Sequence, residues 1–178
     1  MLYNKKTIPT ALTITGGFTI LKTQRRLTTE KYATIGGSMV HILICDDDAA
    51  FAQDMAKKIQ ALPAYSPKSM NVQLLTDVTA MSAGVLTKFD ILFLDIQMPG
   101  ITGIEFARTI SKRTLVIFTT AYTEYALDSY EVDAIDYLIK PVEAERFQKA
   151  IEKAQSYHSL LLQEEKEAIE TIAAVSYT

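Results

Sequence analysis

Residues 89–107 read FDILFLDIQMPGITGIEFA. Within this stretch, 91–94 form an uncharged apolar run, the pattern of a strand buried on both faces. An acid, Asp95, closes the run. Seven residues later, Thr102 and Glu105 stand at capping-box spacing, which predicts a helix that runs on through Ile110. The order is therefore buried strand, acid, helix.

The same order recurs on both sides. Upstream, 40–45 is an apolar run of strand length ending in Asp46-Asp47-Asp48. Residues 49–62 place Phe51, Met55, Ile59 and Leu62 on one helical face, with Asp54, Lys57 and Lys58 off it, and Pro63 ends the pattern. A short strand is expected at 71–75 and a weaker helix at 78–86. Downstream, 115–118 is again a buried strand, followed by Thr119-Thr120. A short helix is expected at 125–130 and a fifth strand at 134–139, followed by Lys140-Pro141. From Glu143 the chain is helical, with Phe147, Ala150, Ile151 and Ala154 on one face. Five β-α units predict an α/β fold: a parallel sheet with right-handed crossovers and helices on both faces. Ligands of such sheets sit beyond the carboxyl ends of the strands.

Four of the five expected strand ends carry charged or reactive groups. Taken singly they have plain explanations. Asp48 before a helix is an N-cap, Thr at a strand end reflects β-propensity, and Lys140 by itself is a solvated lysine. Taken together they predict a site. Carboxylates gathered in one place raise each other's pKa unless a cation compensates. Mg²⁺ is the natural compensation, since it takes one or two carboxylates, keeps waters and adds phosphate oxygens. A carboxylate beside such an ion can attack a phosphoryl group while metal and lysine offset the developing charge.

The chain resembles the receiver domain of two-component response regulators over residues 39–154. The carrying text is ILICDDD, FDILFLDIQMPGITGIEFA and LVIFTTAYTEYALDSYEVDAIDYLIKPVEAERFQKAIEKA. The last stretch is similar to the subclass whose output is a LytTR-type DNA-binding domain. The resemblance implies a flavodoxin-like (βα)5 fold with strand order 2-1-3-4-5. It implies Asp95 as phosphoacceptor, with Mg²⁺ or Mn²⁺ held by Asp46, Asp47, Asp95 and the backbone carbonyl of Gln97. Thr120 and Lys140 match the groups that bind the phosphoryl oxygens, and Thr120 and Tyr137 match the switch pair. The Lys140–Pro141 bond is expected to be cis. Gln97 and Tyr122, two residues beyond Asp95 and Thr120, are expected at the rim, where they tune hydrolysis of the phosphoryl group. The implied partners are a sensor histidine kinase and a second copy of the chain on phosphorylation, with DNA reached only through a C-terminal domain outside this chain. Two departures stand out: Thr102 replaces an expected Asp, and the short link 111–114 predicts a clipped helix before the fourth strand.

Charge and composition narrow the alternatives. Residues 1–38 hold six basic side chains and one acid, a net of +5, whereas 39–178 have a net of −8. So acidic a domain is a poor nucleic-acid binder by itself. No apolar stretch approaches the ~20 residues of a membrane span, and the cytoplasm is the expected compartment. The single cysteine, Cys45, permits no internal disulfide and reads as a small buried hydrophobe. His41 reads as a sheet-rim residue and His158 as a helix-surface residue. Three units are expected. Residues 1–38 are an N-terminal extension (a leader, a tag or upstream read-through), in which Gly16-Gly17 between two apolar runs also offers a hairpin. Residues 39–156 are the receiver. Residues 157–178 are a helical linker whose end, 172–178, reads as the start of a strand of a LytTR-like output domain. The competing readings are a haloacid-dehalogenase-like phosphohydrolase with Asp46 as nucleophile and a phosphate-independent pseudo-receiver. The first wants Thr or Val where the chain has Ala50; the second usually lacks the acceptor, the acidic pair or the lysine. The domain is not expected to be an enzyme beyond its own phosphorylation and dephosphorylation.

Overall fold

The computed structural model describes residues 10–14, 18–22, 39–77, 86–122 and 132–176. Its elements are β1 (Thr10–Ile14), β2 (Phe18–Lys22), β3 (Val40–Cys45), α1 (Ala49–Gln60), β4 (Met70–Leu75), β5 (Ile91–Asp95), α2 (Gly103–Ala107), β6 (Leu115–Thr120), β7 (Asp136–Ile139) and α3 (Ala144–Ser176). The helix expected at 125–130, and all but the last residue of the one expected at 78–86, lie outside the described residues.

One sheet holds all seven strands, in the order β1-β2-β4-β3-β5-β6-β7. The five strands from β4 to β7 are parallel and give the expected 2-1-3-4-5 order. The hairpin reading of the N-terminal residues corresponds to an antiparallel β1–β2 pair. Through Thr19↔Gln73 and Ile20↔Leu74 it lies parallel along β4 and extends the sheet.

Strand side chains alternate between the two faces, so each central strand feeds two cores. Ile42, Ile44, Ile91 and Phe93 pack on one face with Met55 and Ile59 of α1 and Phe147 and Ile151 of α3. Leu43, Cys45, Leu92 and Leu94 pack on the other with Phe106 of α2. Burial of a large apolar side chain of this kind contributes about 1.5–3 kcal/mol. Phe93 and Phe147 stack with centroids 5.7 Å apart and fasten α3 to the middle of the sheet. Cys45 is buried, and that burial pushes its thiol well above the usual range. No helix among the described residues is long and apolar enough to cross a membrane.

Three expectations need correction. The helix at Thr102 has its capping box and is clipped, as the short link 111–114 predicts, and it therefore stops at Ala107 rather than Ile110. Arg108 caps it, and Thr109 and Ile110 turn back on Phe106 and Ala107 through tighter bonds. Residues 172–176 are not a strand, because α3 runs through Ser176. No Gly or Pro follows Pro141, and Ala173 and Ala174 favour helix over the β preference of Ile172 and Val175. Finally, His158 is not on the surface. Only 7% of it is exposed. It continues the stripe of Phe147, Ile151 and Ala154 at helical spacing, and its Nε2 lies 3.3 Å from Asp90 Oδ1.

Candidate functional site

The carboxyl ends of β3, β5, β6 and β7 meet at one end of the sheet. Asp46 follows β3 directly, its amide donating to Leu75 O at 3.0 Å. Asp48 caps α1 by accepting from the amides of Ala50 and Phe51. Its own amide donates to Asp46 Oδ1 at 3.0 Å, which orients that carboxyl. Asp95 is the last residue of β5, and its Oδ1 accepts from the Gln97 amide at 3.2 Å.

The start of α2 presses against the backbone below Asp95. The Gly103 amide donates to Ile96 O at 2.8 Å. A Cβ at residue 103 would stand 2.2 Å from the Asp95 carbonyl oxygen. Glycine is required there by close approach, independent of any special backbone angle.

Asp46, Asp47 and Asp95 each offer a carboxylate oxygen, and all three oxygens lie within 4.8 Å of one another. Asp46 and Asp95 are buried, while Asp47 is exposed. Lys140, just past β7, reaches between the two buried acids. Its Nζ is 2.9 Å from Asp95 Oδ2, as a hydrogen bond, and 2.7 Å from Asp46 Oδ2. Asp46 Oδ2 nonetheless accepts no well-aligned hydrogen bond among the described residues. Burial, together with the Asp95 charge and against the pull of Lys140, pushes the Asp46 carboxyl up to about 6. Burial disfavours the Lys140 charge, but the facing carboxylates of Asp46 and Asp95 more than reverse that and hold its pKa above the ordinary value.

A buried carboxylate oxygen without a directed donor, beside two further acids and one ammonium, marks a site short of positive charge. An all-oxygen set of this kind fits a hard divalent cation.

The other expected residues occupy two places. Thr120 ends β6 and is fully buried, and its Oγ1 accepts from the Tyr122 amide at 3.2 Å. Its carbonyl accepts from the Lys140 amide, and the Lys140–Pro141 bond is cis. Tyr137 stands further out on β7, half-buried, with its hydroxyl donating to the Tyr122 carbonyl. Gln97 is exposed, as is Tyr122 at 44%. Sequence reading missed one member of the site. The ring of Phe51 lies under the lysine, with Nζ 4.3 Å from its centroid.

Comparison with known proteins agrees with this geometry. The chain is 30% identical to the transcriptional regulatory protein BtsR of Salmonella typhi over 146 residues, 79% of this chain and 60% of that protein. It is also 30% identical to the sensory transduction protein LytT of Bacillus subtilis over 132 residues, 72% of this chain and 53% of that one. It thus spans little more than half the length of these relatives. A CheY-like response regulator receiver domain from Methanospirillum hungatei superposes with a TM-score of 0.56 at 21% identity, covering 68% of this chain and 98% of that one. The family description "response regulator receiver domain" matches residues 42–152, from β3 into α3, and the chain belongs to that family.

Proposed function

We propose that this domain is the phosphoacceptor module of a two-component response regulator, taking a phosphoryl group on Asp95 from a sensor histidine kinase. The observation that carries this reading is the Lys140 ammonium bridging Asp95 and Asp46 within a cluster of three acids. In the transfer, an Asp95 carboxylate oxygen forms a bond to phosphorus as the donor's bond to phosphorus breaks, and the leaving group keeps the electron pair. Asp46, Asp47, Asp95 and the carbonyl of Gln97 would hold Mg²⁺ or Mn²⁺. When bound, such an ion supplies charge neutralisation for the transferred group. Lys140 meets one phosphoryl oxygen and the Thr120 hydroxyl another, exchanging its bond from the Tyr122 amide. Because Tyr137 holds the Tyr122 carbonyl, a change at Thr120 reaches Tyr137 through this short segment. That is the proposed switch, while Gln97 and Tyr122 govern the approach of water.

The domain signals by shape and turns over no metabolite. Residues 39–156 form the receiver. Residues 157–178 lead toward a LytTR-like DNA-binding output outside this chain, and residues 1–38 form an N-terminal extension, of which β2 pairs with β4. Phosphorylation promotes pairing of two copies, and the protein works in the cytoplasm. The test is labelling by a small phosphodonor with Mg²⁺. Label should reside on Asp95 and vanish in Asp95→Asn. Label on Asp46 would establish the phosphohydrolase reading instead, and undiminished label in Asp95→Asn would end the assignment.

A further inference from the structure

The lysine that serves the phosphoryl group has a weakness of design. Its stem is long and flexible, so holding the ammonium in one place needs fixed partners. Its two charged partners, Asp46 and Asp95, are also the oxygens a hard cation would claim. A third partner is not subject to that competition. The ring of Phe51 faces Nζ at 4.3 Å, within the range of a cation–π contact. A hydrated divalent ion with oxygen ligands does not compete for a ring face.

The position of Phe51 is set locally. It lies in the first turn of α1, and its amide donates to the N-cap Asp48 at 3.1 Å. Its half-buried ring packs on the core beneath the sheet end. The third acid of Asp46-Asp47-Asp48 therefore contributes at one remove, by fixing the turn that aims the ring.

We propose that Phe51 is a positioning residue for phosphoryl transfer: its ring keeps the Lys140 ammonium over Asp95 when the carboxylates turn to a metal ion. The inference rests on Asp95 being the phosphoacceptor, but it concerns a residue that reading does not require.

Two measurements on the full chain test it. In metal-free protein, the ring current of Phe51 shifts the Lys140 ε-methylene protons upfield in the NMR spectrum. Phe51→Leu, close in size but without a π face, removes that shift and Phe51→Tyr keeps it. With saturating Mg²⁺ and a small phosphodonor, Phe51→Leu slows labelling by roughly threefold to tenfold, and Phe51→Tyr restores it. Phenylalanine carrying one, two or three ring fluorines at residue 51 drains the π face at nearly constant volume, so labelling slows stepwise along the series. A purely structural role would leave that series flat, and a flat series overturns the proposal. So does an unshifted Lys140 in the parent, or labelling in Phe51→Leu as fast as in the parent. Absence of label from parent and variants alike overturns the phosphoacceptor reading and this inference with it, whereas label at equal rates overturns only the role of Phe51.

Discussion

The two ends of the parallel sheet treat carboxylates in opposite ways. At the carboxyl end, Asp46, Asp47 and Asp95 crowd within 4.8 Å around one ammonium, and one buried oxygen lacks a directed donor. At the amino end each acid has donors of its own. Asp90 accepts from the His41 amide at 2.7 Å and faces His158 Nε2 at 3.3 Å. Asp136 takes both terminal nitrogens of Arg146. The pKa directions follow. Asp46 is raised to about 6, chiefly by burial. Burial alone would also raise Asp90 and Asp136, but hydrogen bonds from His158 and the His41 amide, and from Arg146, hold both below the usual carboxylate value. One end is left short of positive charge. The other is balanced and ties strands to α3.

The carboxyl end is also the less tolerant in its backbone, and the largest effect is expected there. Gly103→Ala forces a Cβ to within 2.2 Å of the Asp95 carbonyl oxygen. No side-chain rotation relieves a clash with backbone, so α2 or the loop after β5 must shift. Overpacking of this severity costs about 2–3 kcal/mol. Urea unfolding should show that loss, and labelling of Asp95 should weaken as its backbone moves. A variant with parent-like stability would mean that α2 rides freely over β5.

Gly103 was not foreseen, and the reason separates what sequence carries from what it does not. Strand positions were legible because an uncharged run such as 91–94 can only be buried on both faces, and all five of its residues through Asp95 are buried. The acids, Thr120 and Lys140 were legible because strand ends follow directly from strands. The Thr102–Glu105 box was legible because capping is local. Contacts between distant segments were not. Phe51 has helical spacing with Met55, which signals core, and nothing local announces a lysine 89 positions away. His158 did carry a signal, since it continues the Phe147–Ile151–Ala154 stripe, but its polarity argued for the surface. Its burial becomes favourable only because Asp90 receives it.

Asp46→Asn sharpens the contrast with a smaller effect. Even groups hydrogen-bonded behind a metal ligand are worth about 10–100-fold in affinity, so losing a buried carboxylate should weaken Mg²⁺ binding by at least about tenfold, read by calorimetry. Metal-free stability should move the other way. The folded-state pKa of Asp46 is raised, so its ionisation penalises the fold. That penalty is absent below the ordinary value of 3.8 and complete above about 6. An asparagine escapes it, and at pH 7.5 the metal-free variant should be more stable than the parent by about 1–2 kcal/mol. A less stable variant would mean that the Lys140 contact outweighs the crowding of like charge.

The smallest effect is expected at the amino end, with the sign reversed. Asp90→Asn keeps an oxygen for the His41 amide but loses the charge that faces His158. A hydrogen bond to a charged group at a partly exposed site is worth about 1 kcal/mol, and the variant should lose that much at neutral pH. The pH dependence identifies the cause. Because the Asp90 pKa is lowered in the fold, its contribution is fully present above the ordinary value near 3.8 and is lost as pH falls through the lower folded value. Denaturant midpoints of parent and variant should therefore stay apart above about pH 4 and draw together as pH falls further. Mg²⁺ affinity should be unchanged, since Asp90 lies at the opposite end of β5 from Asp95. A gap that does not narrow as pH falls below about 4 would mean that shape, rather than charge, holds α3 to the sheet at this point. A loss of Mg²⁺ affinity would mean that the two ends are coupled through β5, and that the division between a reactive and a structural end is not complete.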